Sequence, residues 1–544
     1  MSDATSPSAH LDTFTARGLP PQSSWPHFKF DLPELKYPSR LNCATALLAG
    51  AISKGYVHRP ALKFDGGVWT YGELLQRSNQ IANVLVDDLG IVPGNRVLLR
   101  GFNGPIMAAA WLAIIKAGAV AVPTMPMLRA QELRDICDKA KISHALCDHR
   151  IVDELSLAMP GAREDAHLLT YGDDVLESRM SAKPKTFTDI ETSRDDVCLL
   201  AFTSGTTGKP KATMHFHRDV LAMADVVGGR LLETKFDDIH LGSPPLAFTF
   251  GLGALLVFPL RFGAAAVLVE QASPERLLAA IQDYRVTALF TAPTLYRSLA
   301  SQVANYNISS LRRCISAGEP LPKPTSDLWY EATGIRLIDG IGATEMMHIF
   351  ISAKGDDIRA GATGKPLPGY EAVVLDESNK PMTRGVGRLA VRGPTGCRYL
   401  DDDRQSVYVI DGWNVTGDRY RIDDDGYFWF EARSDDMIIS SGYNIAAPEV
   451  EAALLAHKAV REVAVIGVPD MKRGQIVKAV VVLNAGYEPD AMMVKTLQDH
   501  VKMTIAPYKY PRAIDFTSSL PKTQTGKIQR FALRQREPSV STAK

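Results

Sequence analysis

The stretch Thr203-Ser204-Gly205-Thr206-Thr207-Gly208-Lys209-Pro210-Lys211 gathers small hydroxyls, two glycines and two lysines into one short loop behind the apolar run VCLLAF. That mixture suits a polyphosphate. Amides approach closely where side chains are absent, hydroxyls donate, and ammonium groups neutralise charge. The spacing G-x-x-G-K-P is not the nucleotide-binding pattern G-x-x-x-x-G-K-[ST]. Pro210 also withholds an amide where the helix of such a loop would begin. A second constellation, His215 and His217 in MHFH, sets two imidazoles close together. No cysteine or acidic cluster accompanies them along the chain, so zinc is not expected there.

The elements that position these residues follow from pattern. Helical spacing in YGELLQRSNQIANVL (71–85) precedes the short strand RVLLR. IMAAAWLAIIKAGAVAVPT then reads as a buried helix followed by a strand, and QELRDICDKAKISHALCD repeats the order. The rhythm recurs over 275–293 and 296–317 and predicts parallel sheets covered by helices. From about residue 361, turns of Gly, Pro and Asp separate short strands such as AVVLD, GRLAVRG and GYFWFEA, which predicts a smaller β-rich part. After Arg433 a helix-strand-strand-helix order predicts a compact α+β module with its own core. The expected fold class is therefore α/β: a large N-terminal domain of stacked, mostly parallel sheets with a distorted β-barrel (1–434), then a small mobile α+β domain (435–544).

Composition narrows the function classes. With 544 residues, 46% hydrophobic and 22% charged, the chain is not a disordered one. Lys+Arg and Asp+Glu balance at 61 each, so a large basic footprint for nucleic acid is not expected. The six cysteines show no CxxC spacing and read as scattered reduced thiols of a cytoplasmic protein. No apolar stretch reaches the roughly 20 residues a membrane-spanning helix needs, and the polar N-terminus carries no secretory signal pattern.

The loop 203–211 resembles the phosphate loop of the adenylate-forming enzymes, which include acyl-CoA synthetases, peptide-synthetase adenylation domains and luciferases. Further stretches match that family in order: Ser316-Ala-Gly-Glu-Pro320, Asp339-Gly-Ile-Gly-Ala-Thr-Glu345, Gly361 to Gly369, Trp413 to Asp418, Arg433 to Ile439, and Pro521 to Lys527. The resemblance spans about residues 40 to 530. It implies an AMP-forming acid-thiol ligase that uses ATP, Mg²⁺ and coenzyme A. Thr203, Ser204, Gly205, Thr206, Thr207, Gly208 and Lys209 would hold phosphate. Gly318, Glu319, Pro320, Asp339, Gly340, Ile341 and Gly342 would form the adenine slot, with Ile341 where the family usually has tyrosine. Asp418 would accept from the ribose hydroxyls, and Arg433 would contact ribose or phosphate. Thr344 would bind the α-phosphate, Glu345 would hold Mg²⁺, and Lys527 would enter during adenylation to offset growing charge. Asp435 would be the hinge. Ser441, Gly442 and Tyr443 would belong to the loop that lines the pantetheine tunnel.

The acid side is read from two stretches. Phe248, Thr249, Phe250 and Gly251 offer aromatic faces to a flat ring. No acidic residue lies between Leu246 and Gly253, which disfavours an α-amino acid. DGIGATEMMHIF resembles the benzoate and aminobenzoate CoA ligases, in which positions matching Gly342, His348 and Ile349 line the acid site, and the PTGCRYL run and the WPHFKFDLPELKYP start point the same way. The expected substrate is an aromatic carboxylate. A medium-chain or alicyclic acyl-CoA synthetase is the enzyme alternative, and a nucleotide- or acyl-binding sensor on the same fold the non-enzyme one. The expected partners are a small carboxylic acid, ATP and coenzyme A, with no nucleic acid and no membrane; a homodimer is left open.

Overall fold

The computed structural model describes residues 7–159, 167–203, 210–318, 321, 323–433, 437–521 and 530–535. The chain forms two compact units: residues 1–126, 136–203 and 211–432 make the first, and 127–135, 204–210 and 433–544 the second.

Two large sheets and one smaller sheet build the first unit. One large sheet runs in the order Leu168–Tyr171, His144–Asp148, Arg96–Arg100, Val120–Thr124, Val197–Thr203 and Lys211–Phe216. Its first five strands are parallel, and only the last joins antiparallel. RVLLR, VAVPT and HALCD are buried along their whole length. A strand covered on both faces needs such unbroken apolar runs. The nine-stranded sheet places Ile239–Gly242, Ala288–Thr291, Arg313–Ser316 and Leu337–Gly342 side by side in parallel, and Ile349–Ser352 returns antiparallel. The smaller sheet is antiparallel, built on Glu371–Leu375, Gly385–Arg392 and Trp413–Ile422. A register shift between Arg388 and Ala390 interrupts its central pairing. Such an irregularity bends a sheet, in keeping with the distorted barrel expected here.

Helix boundaries follow local chemistry. Thr70 caps Tyr71–Asn83 with a reciprocal Glu73 contact, the S/T-x-x-E capping box. Asn42 accepts from Ala44 and Thr45 to start Cys43–Ser53. Three helices continue through wide π turns, at Val84–Asp88, Ala224–Leu231 and Gly253–Val257.

The second unit is an α+β module. Val460–Asp470 and Gly474–Leu483 pair antiparallel, Ala513–Phe516 adds in parallel, and the hairpin Met437–Ser440 with Tyr443–Ala446 completes the sheet. Ile438, Ile445, Val450, Leu454, Val463, Val465, Leu497 and Val501 form its own core. That core joins the helices Ala447–Leu455 and Ala491–Thr504 to one sheet face.

Candidate active site

The phosphate-type loop is framed by strands that end and begin at Thr203 and Lys211, which pair directly across the ladder. Ser204 to Lys209 lie outside the described residues, as do Glu319, Pro320, Asp435 and Lys527. The flanking frame is described, and it carries a charged cluster. Lys211 Nζ donates to Tyr399 Oη at 2.9 Å, and Tyr399 Oη donates to Glu345 Oε1 at 2.5 Å. Lys211 Nζ stands 3.5 Å from that same Oε1. Burial raises the Tyr399 phenol well above its ordinary value, so it stays a donor.

A second layer fixes the backbone around Glu345. His215 Nε2 meets the Thr344 carbonyl oxygen at 2.9 Å. Thr395 Oγ1 donates to the Met346 carbonyl at 2.7 Å and is itself paired with Tyr370 Oη at 2.8 Å. His348 N–H then donates back to Met346 O at 2.8 Å, making a tight three-residue turn about Met347, whose φ is +69°. Positive φ in a non-glycine residue costs on the order of 1–3 kcal/mol and persists where its surroundings over-determine it. The turn separates two functions: Glu345 faces Tyr399 and Lys211, whereas His348 faces a group of rings.

Those rings are Phe250, Phe258 and Phe290. His348 lies tilted 5.4 Å from Phe250 and edge-on 4.9 Å from Phe258, and Phe250 meets Phe290 edge-on at 6.3 Å. Phe250 stands in the short helix Thr249–Leu252. Asn103 anchors the turn before it, donating to Pro244 O and accepting from Leu246 N–H. His348 is 3% exposed, and burial lowers it to about 3, so the ring is neutral at working pH. Ile349 follows on the next strand and packs on Gly340. A Cβ at Gly342 would stand 2.8 Å from the His348 carbonyl carbon and oxygen, so glycine permits this crossing. Phe248 precedes the helix, and its carbonyl accepts from Leu252 N–H.

Asp339 and Ile341 lie on Leu337–Gly342, where Ile341 pairs with Ile351. Ser352 Oγ donates to the Asp339 carbonyl at 2.5 Å. Although part of the residue is exposed, Asp339 Oδ1 is buried without a partner among the described residues. Burial, partly offset by the Gly340 amide and nearby Ser316, pushes this carboxyl up to about 7. Gly318 has φ +90°, the left-handed region glycine favours. Asp418, 8% exposed, sits on Trp413–Ile422 just after Gly417, with its N–H turned to Thr416 Oγ1. Arg433 closes the strand Phe428–Arg433.

In the second unit, Ser441 and Gly442 both have positive φ (+50° and +81°) and join strands paired Ser440 to Tyr443. This is the two-residue hairpin geometry with both central residues left-handed. Arg473 reinforces it from both sides: its carbonyl accepts from Ser441 N–H and its guanidinium donates to Ser441 Oγ. The Tyr443 ring lies tilted against that of Tyr508, 4.3 Å between centroids.

Two residues escaped the sequence reading, Tyr399 as a partner of Glu345 and His215 as a support for Thr344. The MHFH pair also has neighbours that chain order hides. Cys43 and Cys198 lie within 4.8 Å of His217 through their ligand atoms, all three buried. His217 Nδ1 accepts from the Cys43 N–H at 3.1 Å, which spends its lone pair on the start of a helix.

Residues 51–398 match the family described as AMP-binding enzyme, and 449–527 match the AMP-binding enzyme C-terminal domain. A benzoate–CoA ligase of Thauera aromatica is 34% identical over 515 residues, 92% of this chain and 97% of that protein. The human mitochondrial acyl-coenzyme A synthetase ACSM4 is 35% identical over 508 residues, 87% of this chain and 85% of its own length. Among solved structures, the anthranilate CoA ligase AuaEII in complex with anthranoyl-AMP is similar with a TM-score of 0.71. It is 33% identical, with 93% of this chain and 98% of that one covered. Among the described residues, no helix is long and apolar enough to cross a membrane.

Proposed function

Because the chain belongs to the AMP-binding enzyme family, and within it to the AMP-forming acid–CoA ligases that bind ATP and a carboxylic acid, we propose that its own acid is aromatic, of the benzoate or aminobenzoate type. The observation that carries this reading is the ring group Phe250, Phe258 and Phe290 around a neutral, buried His348. Flat faces and edges at these spacings suit a benzenoid ring, with each good ring pair worth about 0.5–1.5 kcal/mol beyond area burial.

In this reading the acid carboxylate attacks the α-phosphate of ATP in line and pyrophosphate leaves. The coenzyme A thiolate then attacks the acyl-adenylate carbonyl, and AMP departs. Adenylation already supplies a good leaving group, so no protein nucleophile is required. Thr344 donates to the α-phosphate and Lys527 brings an ammonium to the charge that grows there. Asp339 and its neighbours hold adenine, Asp418 and Arg433 the ribose side. Residues 435–544 would turn about Asp435 between the half-reactions, carrying the Ser441-Gly442 hairpin to the thiol's path. Glu345 fits a divalent cation: Oε1 carries Tyr399 and Lys211, whereas Oε2 has no partner among the described residues. One carboxylate oxygen beside substrate phosphates is the ligand set Mg²⁺ commonly takes. When bound, Mg²⁺ would relieve repulsion among the phosphate oxygens.

The acyl-coenzyme A synthetase similarity supports a second reading, an aliphatic acid. Pyrophosphate release across benzoate, aminobenzoates, hydroxybenzoates and C6–C10 acids, with and without coenzyme A, separates the two. A preference for C6–C10 acids over every ring acid would overturn the aromatic assignment.

A further inference from the structure

Residues 398–400 run antiparallel beside the strand Lys211–Phe216. Met214 N–H donates to Arg398 O at 2.7 Å, Leu400 N–H to Ala212 O at 2.9 Å, and Thr213 bridges to Tyr399. Side chains on an extended chain alternate, so Arg398 and Tyr399 serve opposite sides. Arg398 is fully buried, paired with Asp219 and 3.9 Å above the Phe216 ring. Tyr399 is 1% exposed, with its ring edge-on to Tyr408 at 5.7 Å and its N–H on Gln405 Oε1 at 2.9 Å. The phenol is thus aimed by its backbone, its ring contact and the buried charge next to it.

A phenol has one proton to give and lone pairs to accept with. Tyr399 uses both, donating to Glu345 Oε1 and accepting from Lys211 Nζ. The consequence is asymmetric. Both donors crowd one oxygen of Glu345 and, among the described residues, leave Oε2 without a partner, and the ammonium stays 3.5 Å from the carboxylate instead of in a tight pair. We propose that Tyr399 is a positioning residue for the divalent cation: it dictates which oxygen of Glu345 is presented and keeps Lys211 from occupying that place. This rests on the reading of Glu345 as the cation's carboxylate. Without the hydroxyl, Lys211 closes on Glu345, and cation and ammonium compete for one charge.

The test is an equilibrium measurement. Binding of the α,β-methylene analogue of ATP is titrated by calorimetry in EDTA and again in saturating Mn²⁺, and the ratio of the two Kd values gives the coupling between metal and nucleotide. Tyr399→Phe should lower that ratio by about tenfold or more, the effect of one hydrogen bond to a charged group. The Kd in EDTA should stay within twofold, because phenylalanine keeps the ring in place. A ratio within twofold of the parent, or a parallel loss in both media, overturns the proposal, the second result marking a merely structural role. Glu345→Gln separates the premise from the proposal. If it leaves the ratio intact, Glu345 is not the cation's carboxylate. If it brings the ratio to one while Tyr399→Phe leaves it within twofold of the parent, only the role of Tyr399 falls.

Discussion

Asp339→Asn tests whether the Asp339 carboxyl is as confined as its surroundings indicate. Its Oδ1 has no partner among the described residues, and burial raises the group to about 7. In the unfolded chain an aspartate titrates near 3.9. A group raised on folding is most favourable while protonated, and the folded state loses stability as pH climbs between the two values. Integrating the proton linkage, ionisation of this side chain opposes folding by roughly 1–2 kcal/mol at pH 5 and roughly 4 kcal/mol at pH 8. Asparagine does not titrate, and its amide's own burial cost is the same at both pH values. The variant should therefore gain roughly 2–3 kcal/mol on the parent between pH 5 and pH 8. All six tryptophans precede residue 433, so their fluorescence during urea unfolding reports the larger unit. Stability curves of parent and variant that stay parallel from pH 5 to pH 8, without nucleotide, would refute the reasoning.

Three further outcomes bear on the proposed reaction. His348→Ala should raise KM for the aromatic acid by about tenfold or more while leaving KM for ATP unchanged; a change confined to ATP would remove His348 from the acid site. A Cβ at Gly253 would stand 2.7 Å from His348 Cδ2 and 2.9 Å from Phe258 Cζ. Gly253→Ala should thus cost about 1–3 kcal/mol of stability and depress kcat/KM for ring acids, and unaltered acid kinetics would show that these rings do not bound the substrate. Lys527→Ala should slow adenylate formation at least about 10²-fold and spare thioester formation from supplied acyl-adenylate, whereas equal loss in both steps would contradict the turning of the C-terminal module.

The sheets were legible because RVLLR, AVAVPT and HALCD are continuous apolar runs between helical patterns, and a doubly covered strand requires that. The C-terminal module was legible for the same kind of reason, from EVEAALLAHKAVREVAVIGVPD. The hairpin at Ser441-Gly442 was readable as a turn, but the left-handed φ of Ser441 was not, because serine carries no such preference. Tyr399 was hidden for a different reason. Its partner Glu345 is 54 positions away, and the pairing that joins them depends on an isolated bridge with no hydrophobic period to announce it. His215 offered its type but not its task, since a carbonyl acceptor on Thr344 leaves no mark on sequence. The π turns were equally silent: a shift of hydrogen-bond offset by one residue leaves the helical pattern almost unaltered.

Arg398 brings an unexpected stretch of chain into the story. Its guanidinium lies 5.6 Å from the Trp25 ring and 4.7 Å from that of Phe28, and Asp219, although burial alone would raise it, is held below the usual carboxylate range by Arg398. The match to the AMP-binding enzyme model begins at residue 51, so a shortened version trimmed to that border would strip two aromatic rings from the guanidinium of an interior salt link. The aromatic leader is accordingly masonry for the Arg398–Asp219 link that stands next to Tyr399.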